Sequence, residues 1–411
     1  MRRSCTPWRV RFAGTEKVRR ELSVVADIRE VYLDNSATTP VLPEIADKVR
    51  EVMVRQFGNP SSLHRKGLEA ETLVVEARRQ VSQGLGVRDE EIIFTSGGTE
   101  ANNLALFGAA MANRRRGRRI VSSPIEHPSV LEVLKKLGEQ GFEIVFCPVD
   151  STGRVYPEKL ASLITPDTIL VSIMTVNNEI GTVQPVSELV KACKQVNPGL
   201  IFHTDCVQAL GKIIVAPKQT GADMISLSSH KIHGPKGVGA LYVARGVFLE
   251  SLLYGGGQER GIRSGTENVP GIVGFGLAVQ MATADLEAHA GRMRRLKTRL
   301  IEQLDSNGVK FRINGPPLDQ AAPHIVSLSF PGVRGEVLVH YLEGEDIFVS
   351  TGAACSSRKV KISHVLKAIG LSRREAEGSI RVSLSILNTE DDINRLAEAL
   401  IAALKKLRAL F

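Results

Sequence analysis

The chain has 411 residues, of which 43% are hydrophobic and 24% are charged, and its formal net charge is +9 at pH 7. This length allows two or three domain-sized units, and the composition is typical of a globular protein with a buried core. No apolar run reaches the roughly 18 residues that a membrane-spanning helix needs, so we expect no membrane association.

Residues 1–28 differ from the rest of the chain. Positions 1–20 hold seven basic residues against one acidic residue, which is most of the net charge. The stretch lacks the apolar run of a secretory signal, so we expect a dispensable extension outside the folded core, with organelle targeting as the alternative. The remaining chain carries little excess charge and no nucleic-acid-binding motif, and we therefore expect no direct nucleic-acid partner.

From about residue 29, short apolar segments alternate with amphipathic ones, such as 67–85 and 186–196. Apolar strands without polar alternation are typical of a mostly parallel sheet that helices cover on both faces. We therefore expect an α/β, doubly wound large domain over residues 39–285. Its predicted strands are 91–96, 119–122, 143–148, 169–174, 200–204, 224–227 and 240–243.

The pattern changes after residue 285, where a long charged helix is predicted over 286–307. We expect a smaller α+β domain that consists of residues 29–38 together with 286–411. Its predicted strands are 325–330, 347–350 and 380–384, with helices between them and at the end.

Three polar motifs follow predicted strands. The small residues of 95–103 open a helix, where backbone N–H groups and the helix dipole favour an anion such as a phosphate. Asp205 ends another strand and is suited to pair with a protonated ring nitrogen, although a helix N-cap is an equally good explanation in isolation. Lys231 leaves the carboxyl edge of the sheet, where α/β folds bind ligands and where a lysine can form a Schiff base with an aldehyde cofactor. Lys236 is its competitor, within a Gly-rich turn.

The five cysteines, Cys5, Cys147, Cys193, Cys206 and Cys355, are far apart in the chain and form no C-x-x-C pair. This spacing argues against a disulfide framework or a zinc site and favours a reducing compartment, so we expect a cytoplasmic protein. At most two of the thiols need take part in chemistry, and the others are expected to be small buried hydrophobic residues.

These motifs, in this order, resemble those of the class-V, fold-type I enzymes that use pyridoxal 5'-phosphate (PLP), and among them the cysteine desulfurases of the NifS/IscS type. The resemblance extends from residue 31 to about residue 407 and implies the fold-type I PLP-dependent transferase architecture. The matching segments are 32–40, 94–103, 126–130, 176–181, 203–208, 228–239, 255–268, 349–357 and 380–383.

The resemblance implies a role for each matching residue. Lys231 would bind PLP covalently and move the substrate Cα proton, His127 would stack on the ring and assist proton transfer, and Asp205 would keep the ring nitrogen protonated. Arg381 would bind the substrate carboxylate, with Asn35 near the substrate. The other cofactor contacts would come from Gly98, Thr99, Asn178 (also a substrate contact), Gln208, Ser228 and His230, and from Thr266 of the partner subunit in a homodimer.

Cys355 lies among small residues, 350–357, whereas a buried structural cysteine normally has apolar neighbours. Arg358, Lys359 and Lys361 follow closely and favour the thiolate. The resemblance implies that Cys355 takes the sulfur of L-cysteine as a persulfide while L-alanine leaves. The sulfur would pass to an acceptor such as an iron–sulfur scaffold, for cluster assembly or a related thio-cofactor pathway. No intrinsic metal site is implied, and Cys355 would be a transient iron–sulfur ligand with that partner.

Three alternatives stay open. A selenocysteine lyase would share every residue named above, whereas another class-V aminotransferase has no use for Cys355. A non-catalytic scaffold or nucleic-acid-binding protein would leave the phosphate turn, Asp205 and Lys231 unexplained.

Overall fold

The computed structural model describes residues 30–351 and 362–408. The strands of these residues are β1 (Val31–Tyr32), β2 (Ile92–Thr95), β3 (Arg119–Ser122), β4 (Glu143–Phe146), β5 (Thr168–Ser172), β6 (Ile201–Asp205), β7 (Met224–Ser228), β8 (Gly239–Val243), β9 (Arg312–Asn314), β10 (Ile325–Ser329), β11 (Ile347–Phe348) and β12 (Ser379–Ser383).

The helices of the same residues are α1 (Pro43–Arg55), α2 (Arg65–Leu85), α3 (Gly98–Asn113), α4 (Pro128–Glu139), α5 (Pro157–Ala161), α6 (Val186–Val196), α7 (Pro217–Thr220), α8 (Val269–Ala284), α9 (Leu286–Ser306), α10 (Gly335–Glu343), α11 (His364–Ala368), α12 (Arg373–Glu377) and α13 (Glu390–Arg408).

Seven strands form the central sheet in the order β2-β8-β7-β6-β5-β3-β4. The strands from β7 to β4 are parallel, whereas β8 runs antiparallel to both β7 and β2. Strands β5, β6 and β7 are buried at every position, as expected for central strands whose two faces are covered. Strand β5 is mostly apolar, whereas β6 and β7 also carry buried polar residues, among them His203, Asp205 and Ser226. The predicted mostly parallel α/β fold is thus confirmed. Edge strand β4 differs from the prediction because both of its terminal residues are exposed.

Helix α8 has no counterpart among the predicted helices. Its sequence is apolar on all sides, so it lacks the periodicity that identifies an amphipathic helix, and most of it is buried. It packs closely against α2 through Gly276, where a Cβ atom would lie 2.8 Å from Ala77 Cα. A side chain at this position would therefore push the two helices apart.

The C-terminal part of the chain forms two small sheets. Strands β9, β10 and β12 are antiparallel in the order β12-β10-β9, and β1 pairs in parallel with β11. Their apolar side chains form a hydrophobic cluster with α9, α10 and α13, and this cluster includes Val31 and Leu33 from the beginning of the described chain. The predicted domain boundaries at residues 39 and 285 remain a prediction.

No single helix in the described ranges has the length and apolar character of a membrane span. The bent pair α8 and α9, which meet at 74°, passes that test only by length and composition.

Candidate active site

A cavity of about 540 Å³ lies where β5, β6 and β7 end and α3 begins. This is the carboxyl edge of the parallel part of the sheet, the common ligand-binding position in α/β folds. The cavity brings together ten residues that the sequence places at the site: Gly98, Thr99, His127, Asn178, Asp205, Gln208, Ser228, His230, Lys231 and Arg381.

Lys231 ends a short 3-10 turn, Ser229–Lys231, that directly follows β7. Its Nζ donates hydrogen bonds to the carbonyl oxygens of Ser36 at 2.5 Å and Ala37 at 2.6 Å. The turn itself is joined to the same segment, because Thr39 donates through both its backbone N–H and its hydroxyl to the carbonyl oxygen of His230. These contacts hold the lysine amine at the cavity wall. Lys236 also lines the cavity, but it is exposed to solvent.

The carboxylate of Asp205 is held from two sides. Its Oδ1 accepts from the backbone N–H of Val207 at 2.9 Å, and its Oδ2 accepts from Asn102 Nδ2 at 2.7 Å. The first bond is the local turn contact that a capping aspartate makes, and the second links the carboxylate to α3. A turn and not a helix follows β6, so Asp205 combines a local turn contact with a position in the cavity wall.

A hydrogen-bonded chain leads from Asp205 to His127. Asn102 Nδ2 also donates to Ser129 Oγ at 2.8 Å, and Ser129 Oγ lies 2.8 Å from His127 Nδ1. The backbone N–H of Ser129 donates to the same Nδ1 at 3.1 Å, so this nitrogen is an acceptor and the neutral ring carries its proton on Nε2. Burial lowers the pKa of His127, with the charge of Asp205 acting in the opposite direction.

Helix α3 begins in the cavity with Gly98, after an N-cap glycine that offers no side-chain hydrogen bond. A Cβ atom at Gly98 would lie 2.7 Å from Val207 Cγ2, so glycine is the residue that lets the beginning of α3 approach Val207 this closely. Ser228 Oγ is buried and has no hydrogen-bond partner within the described residues. Burial and the nearby Lys231 and Lys236 lower the pKa of His230 to about 4, so its imidazole is neutral at pH 7. Backbone N–H groups, a hydroxyl and a neutral imidazole thus surround the helix N-terminus.

Arg381 projects from the middle of β12 and is buried. Its Nη2 donates to Asp34 Oδ1 at 2.6 Å, and its Nη1 donates to the carbonyl oxygen of Asn178 at 2.9 Å. Its Nε is buried without a hydrogen-bond partner among the described residues. The guanidinium is thus held in place while its Nε edge remains available for a carboxylate.

Two other predicted site residues, Gln208 and Asn35, are hydrogen-bonded to groups of the protein. Gln208 Nε2 donates to the carbonyl oxygen of Ser36 at 3.0 Å, and its Oε1 lies 3.3 Å from Nε2 of the buried His324. Asn35 is not among the residues that line the cavity. Its amide nitrogen donates to the carbonyl oxygen of Ser383 and to Asn388 Oδ1. Its predicted contact with substrate stays a prediction.

Several residues of the site were missed by the sequence analysis. Asn102 and Ser129 connect Asp205 to His127, and Asp34 orients Arg381. All three lie in or beside motifs that were recognised, but Asn102 pairs with a residue 103 positions away and Asp34 with one 347 positions away. Side-chain pairing across such distances carries no periodic signal in a single sequence.

Thr266 is exposed and does not line the cavity of its own chain. Cys355 lies outside the described residues, as do Cys5 and residues 1–28. The described cysteines Cys147, Cys193 and Cys206 are buried, and burial raises the pKa of each thiol, to about 11, 12 and 12 respectively.

Comparison with known proteins gives a consistent result. The model of the family Aminotransferase class-V matches residues 31–396. The chain is 42% identical to "Cysteine desulfurase IscS" of Dictyoglomus turgidum, over 93% of this chain and 96% of that protein. It is 44% identical to the protein of the same name from Methanosarcina thermophila, over 94% and 95%. A solved structure, "NIFS-LIKE PROTEIN", superposes with a TM-score of 0.87 at 41% identity, over 92% of this chain and all of that one.

Proposed function

The chain belongs to the class-V aminotransferase family, with cysteine desulfurases as relatives, and from this membership and the cavity we propose that it is a PLP-dependent cysteine desulfurase. It converts L-cysteine to L-alanine and keeps the sulfur as a persulfide on Cys355. The observation that carries this proposal is the meeting of Lys231, Asp205 and the α3 N-terminus in one cavity.

The residues of the cavity fit PLP. The unpaired hydroxyl of Ser228 lies beside the beginning of α3, where a phosphate is favoured, and nothing lies within 4 Å of the position that a Cβ atom of Gly97 would take. Asp205 offers a negative charge suited to a protonated pyridine nitrogen, and Lys231 offers the amine for the aldehyde. Gly98, Thr99, Ser228 and His230 would hold the phosphate, and Asn178 and Gln208 the ring oxygen.

Bound PLP supplies an electron sink at its ring. Asp205 keeps the proton on the ring nitrogen, and Lys231 moves the proton of the substrate Cα atom. The His127 ring would stack on the cofactor, and the proton on its Nε2 would be available for transfer. Arg381 binds the substrate carboxylate through its Nε edge, which orients the cysteine.

The sulfur transfer is balanced within the substrate and the enzyme. The Cys355 thiolate attacks the substrate sulfur, an S–S bond forms, and the C–S bond breaks with its electron pair on the substrate carbon. That carbon takes up a proton and becomes the methyl group of alanine. The sulfur is oxidised to the persulfide level while the carbon is reduced, so no external oxidant is needed.

The test compares two lysines of the same cavity. Wild-type protein with PLP and L-cysteine should release alanine and gain the mass of one sulfur atom. Lys231→Ala should lose both products and the covalent PLP adduct that borohydride traps, whereas Lys236→Ala should keep them. The reverse pattern, or wild-type protein that forms no alanine, would refute the proposal. Selenocysteine assayed in parallel distinguishes the lyase alternative.

The proposal includes a homodimer, for which exposed apolar side chains are the support. Phe57 is 69% exposed and Leu63 fully exposed, and Met53, Val54, Leu68 and Val75 are exposed in the same stretch of chain. Pro60 and Val75 share a surface cavity with Gln258 and Glu267, so this patch is continuous with the loop that carries Thr266. Thr266 would thus complete the phosphate site of the partner subunit.

The remaining proposals concern the sulfur acceptor and the compartment. We propose an acceptor protein such as an iron–sulfur scaffold, because a persulfide must be handed on before the thiol can turn over again. A cytoplasmic location agrees with the unpaired, buried cysteines among the described residues.

A further inference from the structure

A two-residue segment, Ser363-His364, connects two loops of the cavity wall. Ser363 is the N-cap of α11 and lies only two positions after the last undescribed residue. One of its two side chains contacts Glu179 and the other contacts Glu126. Glu126 directly precedes His127, and Glu179 directly follows Asn178.

The first contact saturates the Ser363 hydroxyl. Its oxygen accepts from the backbone N–H groups of Val365 at 3.1 Å and Leu366 at 3.2 Å, which caps α11. Its only proton is donated to Glu179 Oε2 at 2.5 Å, and both residues are buried. All hydrogen-bonding capacity of this hydroxyl is used, so its direction is fixed.

The second contact involves the backbone before His127. His364 Nε2 lies 2.9 Å from the carbonyl oxygen of Glu126, and because a carbonyl only accepts, this nitrogen carries the proton. The Glu126 carboxyl group is itself held by Ser123 Oγ at 2.6 Å and by the backbone N–H of Met174 at 3.0 Å. The peptide unit that leads into His127 is thus held on both sides.

Apolar packing supports both contacts. Val365, Leu366 and Ile369 of the α11 region form a small hydrophobic cluster with Ile125 and Ile180. Ile125 precedes Glu126 and Ile180 follows Glu179, so the packing acts on the same two loops. Asn177 joins the loops directly, since its Nδ2 donates to the carbonyl oxygen of Ile125 at 2.9 Å and its Oδ1 accepts from the backbone N–H of Glu179.

We propose that Ser363 and His364 are positioning residues that set the His127 ring and Asn178 against the bound cofactor. His364 acts through the Glu126–His127 peptide, and Ser363 acts through Glu179 on Asn178, whose carbonyl oxygen also holds Arg381. This inference rests on the proposed function, because it concerns the residues proposed to contact PLP and the substrate.

The test uses holoenzyme and two readouts. His364→Ala should lower kcat about tenfold, equivalent to roughly 1.4 kcal/mol, and should shift the pH midpoint of the visible absorption of bound PLP. His364→Gln, whose amide can donate to the same carbonyl, should restore most of both properties. Lys367→Ala, on the exposed side of α11, is the matched control and should change neither.

A double-mutant cycle with His127→Ala separates positioning from general destabilisation. If His364 acts through His127, its replacement should have almost no further effect on the absorption midpoint in the His127→Ala background. Additive shifts, or a wild-type midpoint in His364→Ala, would overturn the proposal for this contact. A second comparison, Ser363→Ala against Ser363→Thr, covers the case in which His364→Ala fails to fold. A KM for cysteine that rises several-fold in Ser363→Ala but not in Ser363→Thr supports the proposal. Equal KM values in these two variants and the wild type overturn it.

The same measurements distinguish a wrong positioning role from a wrong function. Wild-type protein that binds no PLP or releases no alanine contradicts the function itself. An active wild type whose Ser363 and His364 variants are unchanged contradicts only the positioning role.

Discussion

Glu126 is a fully buried carboxyl group next to the proposed ring-stacking histidine. It accepts hydrogen bonds from Ser123 and Met174, yet burial outweighs them and raises its pKa to about 8, with Asp205 adding to the increase. The folded protein therefore binds a proton here that the unfolded chain has already released at neutral pH.

The pH dependence of stability follows from this difference. Because the folded pKa is raised, the contribution of Glu126 to stability is full below about pH 4.5 and declines until about pH 8. We expect Glu126→Gln, which stays neutral, to gain stability relative to wild type as the pH rises through this interval. Urea unfolding at about pH 5, 6.5 and 8 measures the difference. Glu132→Gln, at an exposed position, is the control. If the difference in unfolding free energy between wild type and Glu126→Gln were independent of pH, it would contradict the prediction.

Cys355 is separated in function from the residues that bind the cofactor. We expect Cys355→Ser to bind PLP and cysteine, visible as a change in the cofactor spectrum, but to lose alanine release and sulfur transfer, because a hydroxyl is a far weaker nucleophile toward sulfur. Mass spectrometry after brief exposure to cysteine should locate the added sulfur on Cys355. Cys147→Ser, Cys193→Ser and Cys206→Ser are the controls, and a persulfide on any of these three in wild type would disprove the assignment.

Among the elements, α2 holds the loop 255–268 through an ion pair whose carboxylate is buried and whose arginine is half-buried. Arg78 donates to Glu259 with both Nη atoms, at 2.9 Å and 2.6 Å, and Glu259 also accepts from the backbone N–H of Phe94. Glu259 and Arg260 have positive φ angles of 45° and 58°, an unfavourable backbone for non-glycine residues. The ion pair therefore stabilises a strained turn that leads to Thr266.

We expect Arg78→Ala to lower the free energy of unfolding by about 3 kcal/mol, because it leaves the Glu259 carboxylate buried without its partner. The same variant should weaken PLP retention, since the turn before Thr266 loses its anchor. Urea unfolding and the PLP content after dialysis measure the two effects. Arg79→Ala, which removes an exposed pair with Glu76, should change stability by less than about 0.5 kcal/mol. Equal losses in both variants would argue against the anchor.

At the scale of the whole molecule, the composite site of a homodimer can be tested with hybrid dimers. We combine a Lys231→Ala subunit with a Thr266→Ala subunit. If Thr266 completes the partner's site, one site of the hybrid carries both changes and the other carries none, so about half of the wild-type activity should remain. If Thr266 serves its own subunit, both sites are damaged, and the activity should fall to the mean of the two single-variant homodimers. Sedimentation of the wild type as a fully active monomer would also contradict the dimer.

The sequence by itself determined the sheet and most of the cavity. Strands β6 and β7 begin with apolar residues and are buried at every position, and the carboxyl ends of such strands bring Asp205 and Lys231 together whatever the intervening helices are. The Gly-rich beginning of α3 was equally visible, since the local backbone sets the anion preference of a helix N-terminus.

Only the tertiary structure decided which side chains support these residues. The Asp34–Arg381 pair, the Asn102 bridge between Asp205 and Ser129, and the contact of His364 with the Glu126 carbonyl join residues from 27 to 347 positions apart. Such pairs arise from packing of separate elements and leave no periodic pattern in the chain. Helix α8 was missed for a related reason: buried on nearly every side, it has no polar face to mark its period.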